Sequence, residues 1–295
     1  MKTYSIILLW GLLFLASFDT LAQVDPLTAQ YYTNQYLGNP AMAGWRQGVM
    51  INGSIRKNWS NIPGTPATQN LTADYGFGKL GVGLKLYNEQ AGLQRQTSGL
   101  GTFSYHLPLS ADEQQLHFGI SIGLLNQRIE TSDLRGNQND IIVGNYNDRR
   151  TYLDGDFGLA YTNKRFTLQG SVPNLKNVFK RDVIKLVDVA TFYAAASYQI
   201  PFGLDGTEAE LEPKIAYRGV RGFNNVWDAG AQLSFAQKQI QLTGLYHNTG
   251  SATFGIGMDL KKRFLISGLY TAQTSQLSSY TNGVFELNLR LHLDK

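Results

Sequence analysis

Tyr246-His247-Asn248-x-x-Ser251 places a base, an amide and a hydroxyl within one short stretch. A histidine beside a serine can activate the hydroxyl as a nucleophile, which is the chemistry of an acyl or lipid hydrolase. That chemistry also wants an acid to orient the histidine, and no acid stands beside His247 in the sequence. The three residues also straddle the expected tip of a hairpin, so the expectation is a polar turn and no catalysis. The four histidines, His106, His117, His247 and His292, fall on separate segments without the spacing of a zinc site. Asp154-x-Asp156 and the stretch from Asn137 to Asp148 are rich in oxygen donors, but calcium wants about six to eight of them converging in space. Gly81-x-Gly83 and Gly255-x-Gly257 look like pieces of phosphate loops, yet no helix-like sequence follows either. Small residues at every second place are strand alternation, with little side chain on the inner face. Cysteine is absent, which removes disulfides, thiol catalysis and cysteine metal sites. Neither an enzyme, a metal nor a cofactor is expected.

The elements that carry these residues read as strands. Phe285-Glu286-Leu287-Asn288-Leu289-Arg290-Leu291-His292-Leu293 alternates apolar and polar without a break. Successive strand side chains point to opposite faces, so one face is hydrocarbon and the other is polar. The same rhythm recurs through Val82-Leu84-Leu86, Phe103-Tyr105-Leu107, Phe118-Ile120-Ile122-Leu124, Phe157-Leu159-Tyr161 and Phe254-Ile256-Met258. A soluble β-sandwich would also use such strands. The N-terminus argues otherwise: Lys2, an apolar run from Ile6 to Leu15 and Thr20-Leu21-Ala22 compose an export signal over residues 1–22. Repeated alternation behind an export signal predicts an all-β, transmembrane antiparallel β-barrel in an outer membrane, with lipid as its solvent. A mean hydropathy of −0.21 is compatible with that, because barrels hide their lipid face in alternation. Tyr (16), Phe (15) and Gly (31) supply girdle and turn residues. The net charge of +4 is dispersed, with no basic stripe of the kind that binds nucleic acid.

A charge at the bilayer midplane of a barrel costs about 2–4 kcal/mol. Lys85, Lys214, Arg218 and Arg290 are therefore expected to face the lumen or lie near the interfaces. About 14 strands are expected, starting near residues 47, 67, 79, 95, 114, 151, 164, 189, 208, 223, 239, 250, 263 and 282. Tight connections (76–79, 110–113, 163–164, 236–238, 261–262) alternate with longer ones (60–66, 90–94, 130–150, 174–188, 274–281), and the stretch 201–207 reads as a long turn. Short periplasmic turns and longer external loops are the barrel pattern, and they place both termini in the periplasm. The division expected is a signal at 1–22, an N-terminal periplasmic or plug segment at 23–46, and the barrel at 47–295.

Residues 25–68 depart from the alternation. Asn39-Pro40 is a turn, and Pro63-Gly64-Thr65-Pro66 is a rigid link between the first two strands. Asp25-Pro26, Gln30-Tyr31, Asn34 and Asn39-Pro40-Ala41-x-Ala43-Gly44 are followed by Arg56-x-x-Trp59, Pro63-Gly64-x-Pro66-x-Thr68, Leu80-Gly81-Val82-Gly83-Leu84, Gly92 and Phe103-Ser104-Tyr105. With these residues the chain resembles the PorP/SprF family of Bacteroidetes outer-membrane proteins, associated with type IX secretion and gliding motility. One departure is the ending Leu293-Asp294-Lys295, where many bacterial barrels finish on an aromatic residue.

The resemblance implies an accessory of type IX secretion. It implies partners among outer-membrane lipid, large surface adhesins carrying a C-terminal targeting domain, and periplasmic secretion or peptidoglycan-binding components. Asn39, Pro40, Gly44, Arg56, Trp59, Pro63, Gly64 and Pro66 are its motif positions and the candidate partner contacts. The alternative is an outer-membrane channel or transporter for small or hydrophobic solutes.

Overall fold

The computed structural model describes residues 29–59, 61–62, 64–110, 113–130, 147, 151–176, 190–204, 207–220, 225–273 and 282–293. Residues 1–28, with the expected export signal and Asp25-Pro26, lie outside them, as do Pro63, most of the 130–150 and 174–188 stretches and the last two residues. The strands are β1 (Gly48–Asn58), β2 (Ala67–Phe77), β3 (Leu80–Ala91), β4 (Gln94–Pro108), β5 (Gln115–Ile129), β6 (Tyr152–Thr162), β7 (Phe166–Val172) and β8 (Ala190–Tyr198). They continue as β9 (Ile200–Leu204), β10 (Thr207–Val220), β11 (Val226–Phe235), β12 (Ile240–His247), β13 (Ala252–Leu260), β14 (Phe264–Ala272) and β15 (Val284–Leu293). All pairings are antiparallel, and β1 pairs with β15 from Val49↔Leu293 to Asn58↔Val284, so the sheet closes on itself.

β8 and β9 lie on the same side of β10, opposite Lys214–Val220 and Thr207–Leu211 respectively. They are two halves of one stave, and the closed wall has 14 strands. The break at Tyr198-Gln199 lies across from Glu212-Pro213, and Pro213 has no N–H to give a ladder. The stretch 201–207, read from sequence as a long turn, is therefore mostly strand. Residues 90–94 are likewise hairpin rather than loop: β3 and β4 pair out to Ala91↔Gln94. β7 starts opposite Tyr198 and does not reach β9. The free flank of β9 carries Pro201, a residue that makes an edge a poor template for another strand.

Inward and outward faces sort as the alternation demands. On β15, Phe285, Leu287 and Leu289 are 49–52% exposed, while Glu286 and Asn288 are buried at 6% and 4%. An inside-out ring would show the reverse. The four cations all turn inward onto carboxylates: Lys85 Nζ to Asp156 Oδ2 at 2.5 Å, Arg290 to Asp259 at 2.6 Å, Arg218 to Asp228 at 2.9 Å and Lys214 to Glu212 at 3.4 Å. In a lumen away from bulk water, a cation left without its carboxylate is strongly destabilising.

Beyond Val172 the chain leaves the wall. Asp154 Oδ1 accepts from Lys176 N at 2.9 Å and Asp156 Oδ1 from Asn174 N at 3.1 Å, so the inward acids of β6 hold the departing chain. At the short-turn end, β13 and β14 are joined through Lys261 (φ +55°) and Lys262 (φ +57°). Three residues link the paired Leu260 and Phe264, and the β-turn closed by Arg263 N–H on Leu260 O at 3.0 Å has both central φ positive, a geometry that prefers Asn-Gly. A residue with a Cβ gives up about 1–2 kcal/mol there.

Candidate functional site

Residues 29–45 run down the inside of the barrel and are buried or half-buried throughout. The chain starts this path in the long-loop half, where Ala29 N donates to Glu286 Oε2 at 3.2 Å. Gln30 Nε2 donates to Ser54 Oγ at 2.7 Å, and Asn34 Nδ2 to Thr72 Oγ1 at 3.1 Å. Asn34 also caps a one-turn helix, α1 (Gln35–Gly38), by accepting from Leu37 N. Asn39 then caps a 3-10 turn, Pro40–Met42: its Oδ1 accepts from Ala41 N at 3.0 Å while its Nδ2 donates to Leu159 O at 2.9 Å. Proline suits the first helical position because that N–H has no intrahelical acceptor. The plug ends at Gly44 (φ +64°), whose N–H donates to Asp74 Oδ2 at 2.8 Å.

The wall makes room with glycine. A Cβ at Gly158 would strike the Asn39 side chain, at Gly119 the Pro40 backbone, at Gly81 the Ala43 carbonyl, at Gly76 the Gly44 carbonyl, and at Gly83 the Tyr36 ring. These inward glycines are the seat of the plug. Ala41, Met42 and Ala43 on it are at most 1% exposed.

Two polar clusters tie the plug to the wall. In the long-loop half, Tyr31 Oη donates to Asp228 Oδ2 at 2.5 Å. The same carboxylate takes Arg218, and its other oxygen lies 2.5 Å from His247 Nδ1. His247 Nε2 is 2.8 Å from Thr253 Oγ1, which is 2.6 Å from Thr271 Oγ1. Lys214 Nζ donates to Tyr31 O at 2.7 Å. Burial raises the phenols of Tyr32 and Tyr36 on the plug, keeping them neutral. Tyr36 donates to Thr102 Oγ1 at 2.6 Å.

The second cluster sits near the short-turn end. Ser104 Oγ donates to Ala43 O at 2.5 Å, and His106 Nε2 lies 3.1 Å from the same oxygen. A carbonyl can only accept, so His106 carries its proton on Nε2 and accepts at Nδ1. The 2.8 Å contact between the Nδ1 atoms of His106 and His117 then makes His117 the donor. His117 Nε2 is left bare and accepts from Thr162 at 2.8 Å. The proton order thus runs from the wall to the plug.

The acid that sequence spacing failed to supply beside His247 is Asp228. The Asp–His–hydroxyl order resembles a hydrolytic triad, but Thr253 is fully buried and engaged with Thr271. Ser251, the hydroxyl singled out from sequence, lies 3.1 Å from Thr249 instead. The arrangement is suited to latching Tyr31. A small cleft of about 10 Å³, room for roughly one water, remains between Tyr32, Thr33 and the wall residues Gln232, Gln241 and Thr243. Among the described residues no group of three or more His, Cys, Asp or Glu could hold a metal ion.

The family described as "Type IX secretion system membrane protein PorP/SprF" matches residues 20–291. The chain belongs to the PorP/SprF family. It is an outer-membrane protein of that type. No curated protein matches it. Among solved structures it is similar to Omp33 of Acinetobacter baumannii, with 9% identity and a TM-score of 0.48 over 85% of this chain and 100% of that one. It is also similar to the toluene transporter TodX of P. putida, with 9% identity and a TM-score of 0.44 over 89% and 94%. The CymD monoaromatic hydrocarbon channel gives 10% and 0.43 over 93% and 95%.

In this PorP/SprF member the motif positions separate into two groups. Asn39, Pro40 and Gly44 meet in the plug near the short-turn end. Arg56, Trp59, Gly64 and Pro66 lie at the other end of β1, about 30 Å along the strand at its usual rise. There Arg56 Nε donates to Asn58 Oδ1 at 3.1 Å, and Trp59 (φ +44°) donates its backbone N–H to Gly283 O at 2.9 Å. Gly64 O accepts from Gly92 N, and Pro66 O from Asn58 N. Pro63 is outside the described residues. Sequence reasoning missed Asp228, Tyr31 as its partner, and the role of Gly119 and Gly158.

Proposed function

We propose that this PorP/SprF protein is a non-enzymatic accessory of type IX secretion and gliding. It binds an exported adhesin, or the adhesin's C-terminal targeting domain, through its long-loop end, and periplasmic components of the machine through its short-turn end. The observation that supports this is the plug: residues 29–45 occupy the lumen and are bonded to the wall from Glu286 down to Asp74. A filled barrel works through its two ends rather than through its bore. Arg56, Trp59, Gly64 and Pro66 belong to the end that meets the adhesin, and Asn39, Pro40 and Gly44 hold the plug in place. The test is deletion of the gene, with the co-encoded adhesin detected by antibody on intact cells. Loss of surface signal with retained synthesis is expected, and normal display would overturn the proposal.

The competing reading is a channel for small or hydrophobic solutes. Solute-specific conductance of the intact protein in planar bilayers would favour it. The hydrogen-bonded plug predicts a closed trace.

A further inference from the structure

We propose that the short-turn rim, centred on Lys261, Lys262 and Arg263, is a binding site for the anionic headgroups of phospholipids in the periplasmic leaflet. Lys79, Lys164, Arg165, Lys261, Lys262 and Arg263 all lie in or beside turns at this end and are all exposed. Among the described residues none of them has a carboxylate within ion-pair distance. Lys238, on the neighbouring β11–β12 turn, is paired with Glu210 at 2.8 Å. The lumen cations behave differently, since each has found an acid on the wall. The rim charge is therefore turned outward.

Its depth identifies the counter-charge. Leu260 and Phe264, immediately before and after the basic triplet, are 46% and 53% exposed on the lipid face. A turn that short rises little above the hydrocarbon, so its ammonium and guanidinium groups reach the phosphate layer while their stems lie along the apolar edge. A folded acidic protein would want more relief than this to grip. A phosphodiester monoanion fits, with Arg263 able to take two of its oxygens at once. A zwitterionic headgroup brings its own ammonium and gains less.

The turn chemistry points the same way. Both central residues are left-handed, where Asn-Gly would be relaxed, and two adjacent lysines also repel each other. Sequences break a local preference in this manner chiefly where the residue serves a function.

The test uses the full mature barrel, purified in a neutral detergent and sprayed for native mass spectrometry with phosphatidylglycerol or phosphatidylethanolamine of identical acyl chains. At least tenfold greater retention of phosphatidylglycerol is expected. The double variant K261N/K262G suits the turn better than the natural residues, so it folds, as checked by heat-modifiable gel mobility. It is expected to lose that preference. Equal retention of the two lipids by the natural barrel would overturn the proposal, as would an undiminished preference in K261N/K262G. Loss of a co-purifying acidic periplasmic protein from the variant, with its lipid adducts unchanged, would overturn it in favour of a protein partner.

Discussion

Gly119→Ala is the sharpest perturbation of the plug. The added Cβ would fall on Pro40 C, Pro40 O and Ala41 N, all backbone atoms that no side-chain rotation can move aside. Overpacking of this kind costs about 1–3 kcal/mol, and each ~1.4 kcal/mol is a tenfold change in population. The fraction of molecules with the 3-10 turn unseated should therefore rise by about five- to 150-fold. The chain has no cysteine, so Ala41→Cys is a single reporter at a fully buried plug position. Its maleimide labelling rate follows the unseated fraction when opening and closing are fast. Gly119→Ala should speed labelling at least fivefold. Gly170→Ala is the control, because a Cβ there has nothing within 4 Å. If Gly119→Ala leaves the labelling rate unchanged in a barrel that remains heat-modifiable, the glycine seat does not hold the plug.

Asp228→Asn removes the charge that Tyr31, Arg218 and His247 share and leaves Arg218 buried beside a neutral amide. A loss of about 3–5 kcal/mol is expected in urea unfolding of the detergent-solubilised barrel. Lys85→Ala should destabilise by a similar amount by stranding Asp156, and Lys85→Ala with Asp156→Asn should recover much of that loss. Non-additivity below ~0.5 kcal/mol would show the pair to be uncoupled. Asn39→Ala removes both the cap on the 3-10 turn and the bond to Leu159 O, worth about 1–2 kcal/mol, and should also accelerate labelling at Ala41→Cys.

Much of the barrel is written in the two-residue rhythm. The strand starts expected near 67, 114 and 239 fall at Ala67, Gln115 and Ile240. The inward turn of Lys85, Lys214, Arg218 and Arg290 follows from the cost of charge in hydrocarbon alone. β9 was hidden because 201–207 reads as a long turn between strands, and Pro201 is tolerated there because β7 stops short of β9 and leaves that flank of the ladder open. The acid beside His247 was hidden by sequence distance, although hairpin counting reaches it. From Phe235↔Ile240 at the β11–β12 turn, seven steps back along each strand bring Asp228 opposite His247. The same counting brings His106 opposite His117 across the β4–β5 turn. No counting of that sort finds the plug contacts. Gly119 and Gly158 meet Pro40 and Asn39 across the lumen, where no ladder fixes which residues are neighbours.

The bond from Ala29 to Glu286 joins the earliest part of the described chain to its final stave. That stave also forms the seam with β1. The N-terminal segment and the seam therefore brace one another, since the bond ties the upper end of the plug to the strand that closes the ring. A ring without that segment would be hollow, its Asp228 still holding Arg218 and His247 on the wall but lacking the Tyr31 hydroxyl.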